Sequence, residues 1–376
     1  MNSKFIPVLL ILLLFACTAE LENDTRKNFI AVSSDSDDYQ KSRDKLDAII
    51  AQNPNHVNAL VDRGNLEFDH YDFLDAFSDA ARAYRLDSNH FEAKLLYAKA
   101  LINRHSRTEK DKITAQGHFL ELLIIKPDNL NAMVGLANTY ALLQDFDNSR
   151  IWINKALEID SKFIDAYILK GSIYKILYNA LRGDAESNNL ANAYLDTAIL
   201  TYSYITQIYP EHHYTYMQLG LLFEKKGDSI CLDHYTSAVQ LQPNNLNYKY
   251  SLAYAYGEFG EEREAIRLYE EMIHQDENCF EAYCQTGQIL QFKYKELDSA
   301  LYYYAQVVRK APLHVDAYVN MGIAYQDKGD LINALKNYSK ALAIKPEERD
   351  PMVSVNQFNE HQGMARKRAD QLKKRL

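Results

Sequence analysis

The sequence predicts an all-α protein built from stacked helix pairs, and three periodic observations predict it. Small residues recur about every 34 positions in two separate columns, an aromatic column follows the second of them, and prolines recur where the second helix of each pair would end. A period of roughly 20–50 residues is what a stack of equivalent two-element units leaves in a sequence.

The first-helix column reads Gly64, Ala98, Ala137, Gly171, Gly220, Ala253, Gly287 and Gly322, and the second-helix column reads Ala76, Ala115, Ser149, Ala198, Cys231, Ala265, Ala300 and Ala334. Helix axes packed roughly 8–10 Å apart leave no room for a long side chain at the crossing, so both columns are what a closely crossed pair requires. Phe119, Tyr202, Tyr235, Tyr269, Tyr304 and Tyr338 form the aromatic column, with Ala80 and Ile153 as its exceptions. Pro127, Pro210, Pro243, Pro312 and Pro346 end second helices, because proline disfavours helical geometry in the residue before it and has no N–H to donate.

The clearest copy runs from Val315 to Glu348, with Tyr318, Met321-Gly322, Tyr325, Gly329-Asp330, Ala334, Tyr338, Ala341 and Pro346 in order. That order resembles the tetratricopeptide repeat. The resemblance implies a right-handed superhelical solenoid of about eight helix-turn-helix units, near 57–90, 91–129, 130–163, 164–212, 213–245, 246–279, 280–314 and 315–348. Residues 38–54 read as a second helix without its first, a half-repeat capping the stack, and 38–348 is expected to form one elongated domain. Two units carry inserts, Arg104–Ile113 and Tyr178–Ala193, read as surface loops or extra helical turns. After Pro351, Val355, Phe358, Gln362, Ala365, Ala369, Leu372 and Leu376 form a seam. Residues 349–376 therefore read as a C-terminal capping helix with a basic tail, or as a basic arm for an acidic partner through Arg366, Lys367, Arg368, Lys373, Lys374 and Arg375.

At the N-terminus, Lys4 precedes eleven residues from Phe5 to Phe15 that are apolar throughout, too few to span a bilayer as a helix, which needs about 20. Residues 1–16 read as a signal peptide. Leu14-Phe15-Ala16-Cys17 resembles the lipobox of bacterial lipoproteins, which implies lipidation at Cys17 and a flexible tether over 17–37. Thr18 after the cysteine favours the outer over the inner membrane in lipoproteins of this kind. The competing expectation is cleavage after Ala19 and a soluble exported protein.

Composition excludes several functions. The formal net charge is −9, and phosphate backbones need a basic footprint, so nucleic acid is not an expected partner. Cys231, Cys279 and Cys284 remain after Cys17, an odd number that cannot form a complete disulfide framework; Cys231 sits in the small-residue column and reads as a core thiol. Gly227-Asp228-Ser229-Ile230 resembles an esterase block, but Gly329-Asp330 repeats the Gly-Asp pair at a helix–helix turn. Asp196-Thr197-Ala198, Asp228-Ser229-Ile230 and Asp298-Ser299-Ala300 match a glycosylation pattern and also suit helix starts, where Asp and Ser cap. His56, His90, His212 or His213, and His314 recur in the loop before a first helix, roughly 10 Å apart, too far to share a zinc whose ligands all lie about 2 Å from it. No metal, cofactor or catalytic residue is expected, and the chain reads as non-enzymatic.

The resemblance places positions two, five, nine, twelve and thirteen of each unit on an inner face. Position five reads Val61, Leu95, Val134, Ile168, Met217, Tyr250, Cys284 and Val319, an apolar stripe that serves either a partner or the packing between units. The richest stretch joins Tyr214, Met217 and Leu221 with Tyr250 and Tyr254, followed by Gln288 and Phe292. Tyr and Met are adaptable anchors for polypeptides, so this is the expected groove for a protein or peptide partner in the envelope. A carbohydrate- or small-ligand-binding lipoprotein is the alternative. Val61 with Asn65, and Leu96 in the next unit, lack the lysine and the second asparagine that the family's chaperone-tail clamp uses.

Overall fold

The computed structural model describes residues 37–70, 72–104, 106–184, 186–348 and 355–374. The signal peptide, Cys17 and the tether up to residue 36 lie outside the described residues, as do Arg375 and Leu376. Among the described residues the chain is helical with no strand.

The helices are α1 (Asp37–Gln52), α2 (Val57–Asp69), α3 (Phe73–Leu86), α4 (Phe91–Asn103), α5 (Glu109–Ile125), α6 (Leu130–Leu142), α7 (Phe146–Ile159), α8 (Ile164–Leu181), α9 (Asn188–Ile208), α10 (His213–Lys225) and α11 (Ile230–Leu241). They continue with α12 (Leu246–Glu258), α13 (Glu262–Gln275), α14 (Phe280–Ile289), α15 (Leu297–Lys310), α16 (Val315–Asp327), α17 (Leu331–Ala343) and α18 (Val355–Lys373). Even-numbered helices from α2 to α16 are first helices and odd-numbered ones from α3 to α17 are second helices. The chain divides into two compact units, Met1–Asn247 and Tyr248–Leu376, where one elongated domain was the expectation. In a repeat array each pair touches chiefly its neighbours, so a boundary falls wherever those contacts thin.

Within the first unit α1 packs on α2, each first helix packs on its own second helix, and α3, α5, α7 and α9 each pack on the next first helix. The half-repeat α1 is held by charge as well as by Ile50. Arg43 pairs with the buried Glu67 at 2.8 Å, and Arg63 bridges Asp47 at 2.6 Å and Asp79 at 2.7 Å. In the second unit α14, α15, α16 and α17 follow the same order. The helix α18 lies on α16 and α17 through the buried Phe358, Ala365, Ala369 and Leu372. Gln362 Nε2 donates to the carbonyls of Ala341 (3.0 Å) and Ile344 (2.6 Å), satisfying acceptors that the end of α17 leaves open.

The glycines of the first-helix column have a physical cause in the side chains that pack against them. A Cβ on Gly171 would stand 2.7 Å from the ring of Tyr202, and the rings of Tyr235, Tyr304 and Tyr338 crowd Gly220, Gly287 and Gly322 in the same way. These four tyrosines therefore lie against the first helix of their own pair, whereas the ring of Phe119 crowds Gly135 in the first helix of the next pair. At the exception, Ala80, the space beside Gly64 is taken instead by Leu96 from the next pair, 2.7 Å from the same construction.

Three of the loop histidines are helix caps, whereas His212 makes no cap bond and its Nδ1 meets Thr215 Oγ1 at 2.6 Å. The Nδ1 atoms of His56, His90 and His314 accept from the backbone N–H of Ala59 (3.1 Å), Ala93 (3.2 Å) and Ala317 (3.3 Å), and Asn129 does the same for Ala132 at 2.8 Å. The turn inside the pair is alike in the third and eighth pairs. Gly329 holds φ +82° before the capping Asp330, and Gln144 holds φ +65° before the capping Asp145.

The inserts lengthen helices. α5 starts at Glu109, capped by Thr108 and Asp111, and Arg104 pairs with Asp111 at 2.6 Å. α8 runs on to Leu181 and α9 begins at Asn188, which corrects one expectation: Asp196-Thr197-Ala198 lies in mid-helix, not at a helix start. There Thr197 Oγ1 donates back to the carbonyl of Ala193 at 2.7 Å, the usual bond for a threonine inside a helix.

Candidate partner-binding surface

The stretch singled out from sequence falls in both units. In the first, Tyr214 opens α10 half-buried, its ring edge-on to His212 at 6.2 Å, and Leu221 is half-buried two turns on. Met217 between them is only 2% exposed, so it packs the interior and presents nothing to solvent. Val61, Leu95, Cys284 and Val319, at the same position of other pairs, are likewise buried. Much of the position-five stripe therefore serves packing.

In the second unit the residues meet. Tyr250 and Tyr254 stand one turn apart on α12 with stacked rings, centroids 6.5 Å apart and planes 16° off parallel. Tyr250 also lies 5.8 Å from the buried ring of Tyr269. Its hydroxyl accepts from Gln285 Nε2 at 3.1 Å, which ties α12 to α14. Burial, with a smaller push from the charge of Glu281, raises the Tyr250 phenol to about 12, so it stays a neutral hydroxyl. Tyr254 remains 40% exposed.

Gln288 is half-buried on α14, and Phe292 follows, 48% exposed. Phe292 sits in a π turn, Leu290–Tyr294, which ends at Lys295 with φ +61°. The unit 280–314 is one residue longer than its neighbour 315–348, and a π turn is how a helix absorbs one inserted residue. The wide turn points Gln291 inward, 1% exposed, where Oε1 accepts from Tyr304 at 3.1 Å and Nε2 donates to Asp327 at 2.7 Å. Phe292 is left facing out.

Sequence reasoning missed Gln285, Glu258 and Glu281 beside these rings. Their signal was readable: Glu258 follows Tyr254 by one turn, and Glu281, Gln285 and Gln288 recur at helical spacing on α14. It also missed the partners of the buried phenols. Tyr235, Tyr304 and Tyr338 donate to Glu224, Gln291 and Gln326, each one turn after the small residue of the first helix.

The other singled-out groups sit in structural roles. Cys231, Cys279 and Cys284 are free thiols; burial raises Cys231 and Cys279 to about 11 and Cys284 further, so none is a thiolate near neutral pH. Ser229 immediately precedes α11 without a side-chain cap bond, and Asp228 beside it accepts from the N–H of Ile230 at 3.0 Å. Among the described residues no three His, Cys, Asp or Glu side chains cluster to hold a metal ion, and no helix is long and apolar enough to cross a membrane.

Family models described as tetratricopeptide repeat match residues 315–348 and 130–163. Among solved structures, a chain of the APC/C hetero-tetramer Cut9–Hcn1 is similar at 16% identity with a TM-score of 0.49, covering 89% of this chain and 60% of that one. This chain thus spans three fifths of that relative's length. A tetratricopeptide repeat protein from Parabacteroides merdae is similar at 14% identity and a TM-score of 0.45, over 73% of this chain and 98% of that one. MamA is similar at 23% identity and a TM-score of 0.38, over 44% and 96% respectively.

Proposed function

We propose, from the premise that this chain is a tetratricopeptide-repeat protein, that it is a non-catalytic scaffold lipoprotein of the bacterial cell envelope. On this reading it binds a partner polypeptide on the first-helix face of its second unit. One observation carries the binding surface: Tyr254 is an exposed aromatic side chain stacked on Tyr250, which lies against the buried ring of Tyr269, and Phe292 stands exposed on the π turn after α14. Rigid aromatic anchors contribute much contact area with little loss of side-chain entropy on binding, which is why few residues dominate most interfaces.

Membrane attachment rests on the N-terminal sequence, where Leu14-Phe15-Ala16-Cys17 follows a short apolar run. A diacylated Cys17 would hold the chain at a bilayer, since each buried CH₂ contributes about 0.8 kcal/mol, and Thr18 favours the outer membrane.

Crosslinking in cell envelopes, followed by identification of the captured chains, tests the scaffold reading. Combined Tyr250→Ala and Tyr254→Ala substitution is expected to reduce capture while leaving the helical circular-dichroism signal unchanged. Undiminished capture would remove this face from the account, and recovery of glycans alone would replace the scaffold by a carbohydrate binder. Cys17→Ala is expected to release the protein from membranes; continued sedimentation with them would show that lipid is not the anchor.

A further inference from the structure

The same face carries an electrostatic pattern that names the chemistry of its partner. Between Tyr248 and Ala300 the sequence holds eleven Asp and Glu against five Lys and Arg. Two of these carboxylates belong to the aromatic face itself. Glu258 continues the Tyr250–Tyr254 stripe by one turn of α12 and is exposed, and Glu281 stands exposed one turn before Gln285 on α14. Both make themselves felt at the rings: Glu281 adds to the upward shift of Tyr250, and Glu258 adds, after burial and nearer neighbours, to that of Tyr269.

The basic residues nearby are mostly engaged elsewhere. Lys293 pairs with Glu262 at 2.9 Å and feels Glu258 more weakly, Arg267 pairs with Glu264 at 2.8 Å, and Lys249 bonds Gln275 at 3.0 Å. What remains is a stacked tyrosine pair with Glu258 one turn further along α12, Glu281 exposed near the start of α14, and an exposed phenylalanine on the π turn that follows α14. The negative faces of aromatic rings attract cations, and carboxylates at the edge of an interface steer a cationic partner and set its register.

We propose that the α12–α14 face binds a polypeptide segment in which arginine or lysine alternates with apolar residues, the cationic side chains lying over Tyr254 and between Glu258 and Glu281 while the apolar ones meet Phe292. This rests on the reading of that face as the partner site. The occupant is committed by charge: the excess of eleven acidic over five basic residues along this stretch repels an acidic segment, and a purely apolar one would leave that excess unbalanced.

Fluorescence polarisation on the full chain tests this with two labelled peptides, one alternating arginine with leucine and one alternating glutamate with leucine. The arginine peptide is expected to bind, more tightly at low salt, and the glutamate peptide is expected not to. Combined Glu258→Gln and Glu281→Gln substitution, which preserves shape, is expected to weaken the arginine peptide about tenfold at low ionic strength and to flatten its salt dependence. Equal binding of both peptides, no binding of the arginine peptide, or unchanged affinity in the double variant would each overturn the basic-partner inference. The Tyr250→Ala, Tyr254→Ala variant separates that failure from failure of the site: if it loses peptide binding while the Gln variant does not, the face stands and its preference for cations falls. If it binds the arginine peptide undiminished, the site itself is elsewhere.

Discussion

The ring of Tyr202 fills the space that a side chain at Gly171 would need, coming within 2.7 Å of the position of a Cβ there, while its hydroxyl meets Ser172 Oγ at 3.0 Å. One residue of α8 is therefore held to glycine by one residue of α9. Tyr202 is fully buried and has nowhere to move.

Gly171→Ala is expected to destabilise the protein by about 1–2 kcal/mol. Alanine in a helix is worth about 1 kcal/mol over glycine, but overpacking a filled core costs about 1–3 kcal/mol and dominates here. Gly117→Ala is the control. Gly117 is exposed in α5 with nothing within 4 Å of an added Cβ, so the helix preference acts alone and stability should rise by about 0.5–1 kcal/mol. Urea denaturation of the two variants should move in opposite directions.

Tyr304→Phe removes the donor to Gln291 Oε1 and leaves a buried acceptor unsatisfied, at an expected cost of about 1–2 kcal/mol. Gln291→Leu should cost more in combination with an intact Asp327, because Gln291 also donates to that carboxylate. A double-mutant cycle between positions 304 and 291 should give a coupling energy of about 1 kcal/mol, and additivity would show that the hydroxyl is satisfied by another group.

His314→Ala should lose about 1 kcal/mol with the cap of α16, while His314→Asn should retain most of it, since Asn129 performs the same function at the start of α6. Equal unfolding midpoints for the Ala and Asn variants would contradict the capping role.

Docking of α18 should depend on pH. His361 of α18 pairs with Asp316 of α16, and that contact raises the imidazole above its ordinary value against the opposing effect of burial, with Glu360 adding a smaller push in the same direction. A base whose folded value is raised contributes stability that is complete below the unfolded value, about 6.5, and is lost as pH rises through the raised folded value. Amide exchange over 355–373 should accelerate across that window. Asp316→Asn should flatten the dependence; an unchanged pH profile in that variant would exclude the pair as its origin.

The histidines at the first helix of the fifth pair run the other way. Burial lowers both His212 and His213, so the unfolded chain binds protons first as pH falls below about 6.5, and stability contributed by these groups declines from there downward. Opposite slopes for His361→Gln and His213→Gln in stability against pH would separate the two effects.

The repeat register is readable in the sequence because one packing constraint recurs in several pairs. Gly322 against Tyr338 and Gly220 against Tyr235 are the same local problem solved with the same residue types, and proline marks five of the eight second-helix ends for a reason internal to the backbone. The turn at Gly329-Asp330 also explains the Gly-Asp-Ser block without further structure. Other features carry a less direct signal. The spacing of the loop histidines argues against a metal but does not by itself reveal that the ring nitrogens of His56, His90 and His314 cap as Asn129 does. Asp196-Thr197-Ala198 was placed at a helix start because the register alone does not show that an insert extends α9 by more than two turns.

Sequence by itself determined the helical class, the pairing of first with second helices and the acidic aromatic character of residues 248–300, since each follows from residue types a fixed number of positions apart. Tertiary structure decided which of those residues are available. Met217 and Tyr250 occupy the same repeat position, yet Met217 is enclosed and Tyr250 reaches a stacked exposed partner; the extra residue after Gly287 becomes a π turn that sends Gln291 in and Phe292 out. Such outcomes depend on which side chains other helices bring to the same space, and a linear period carries no record of that.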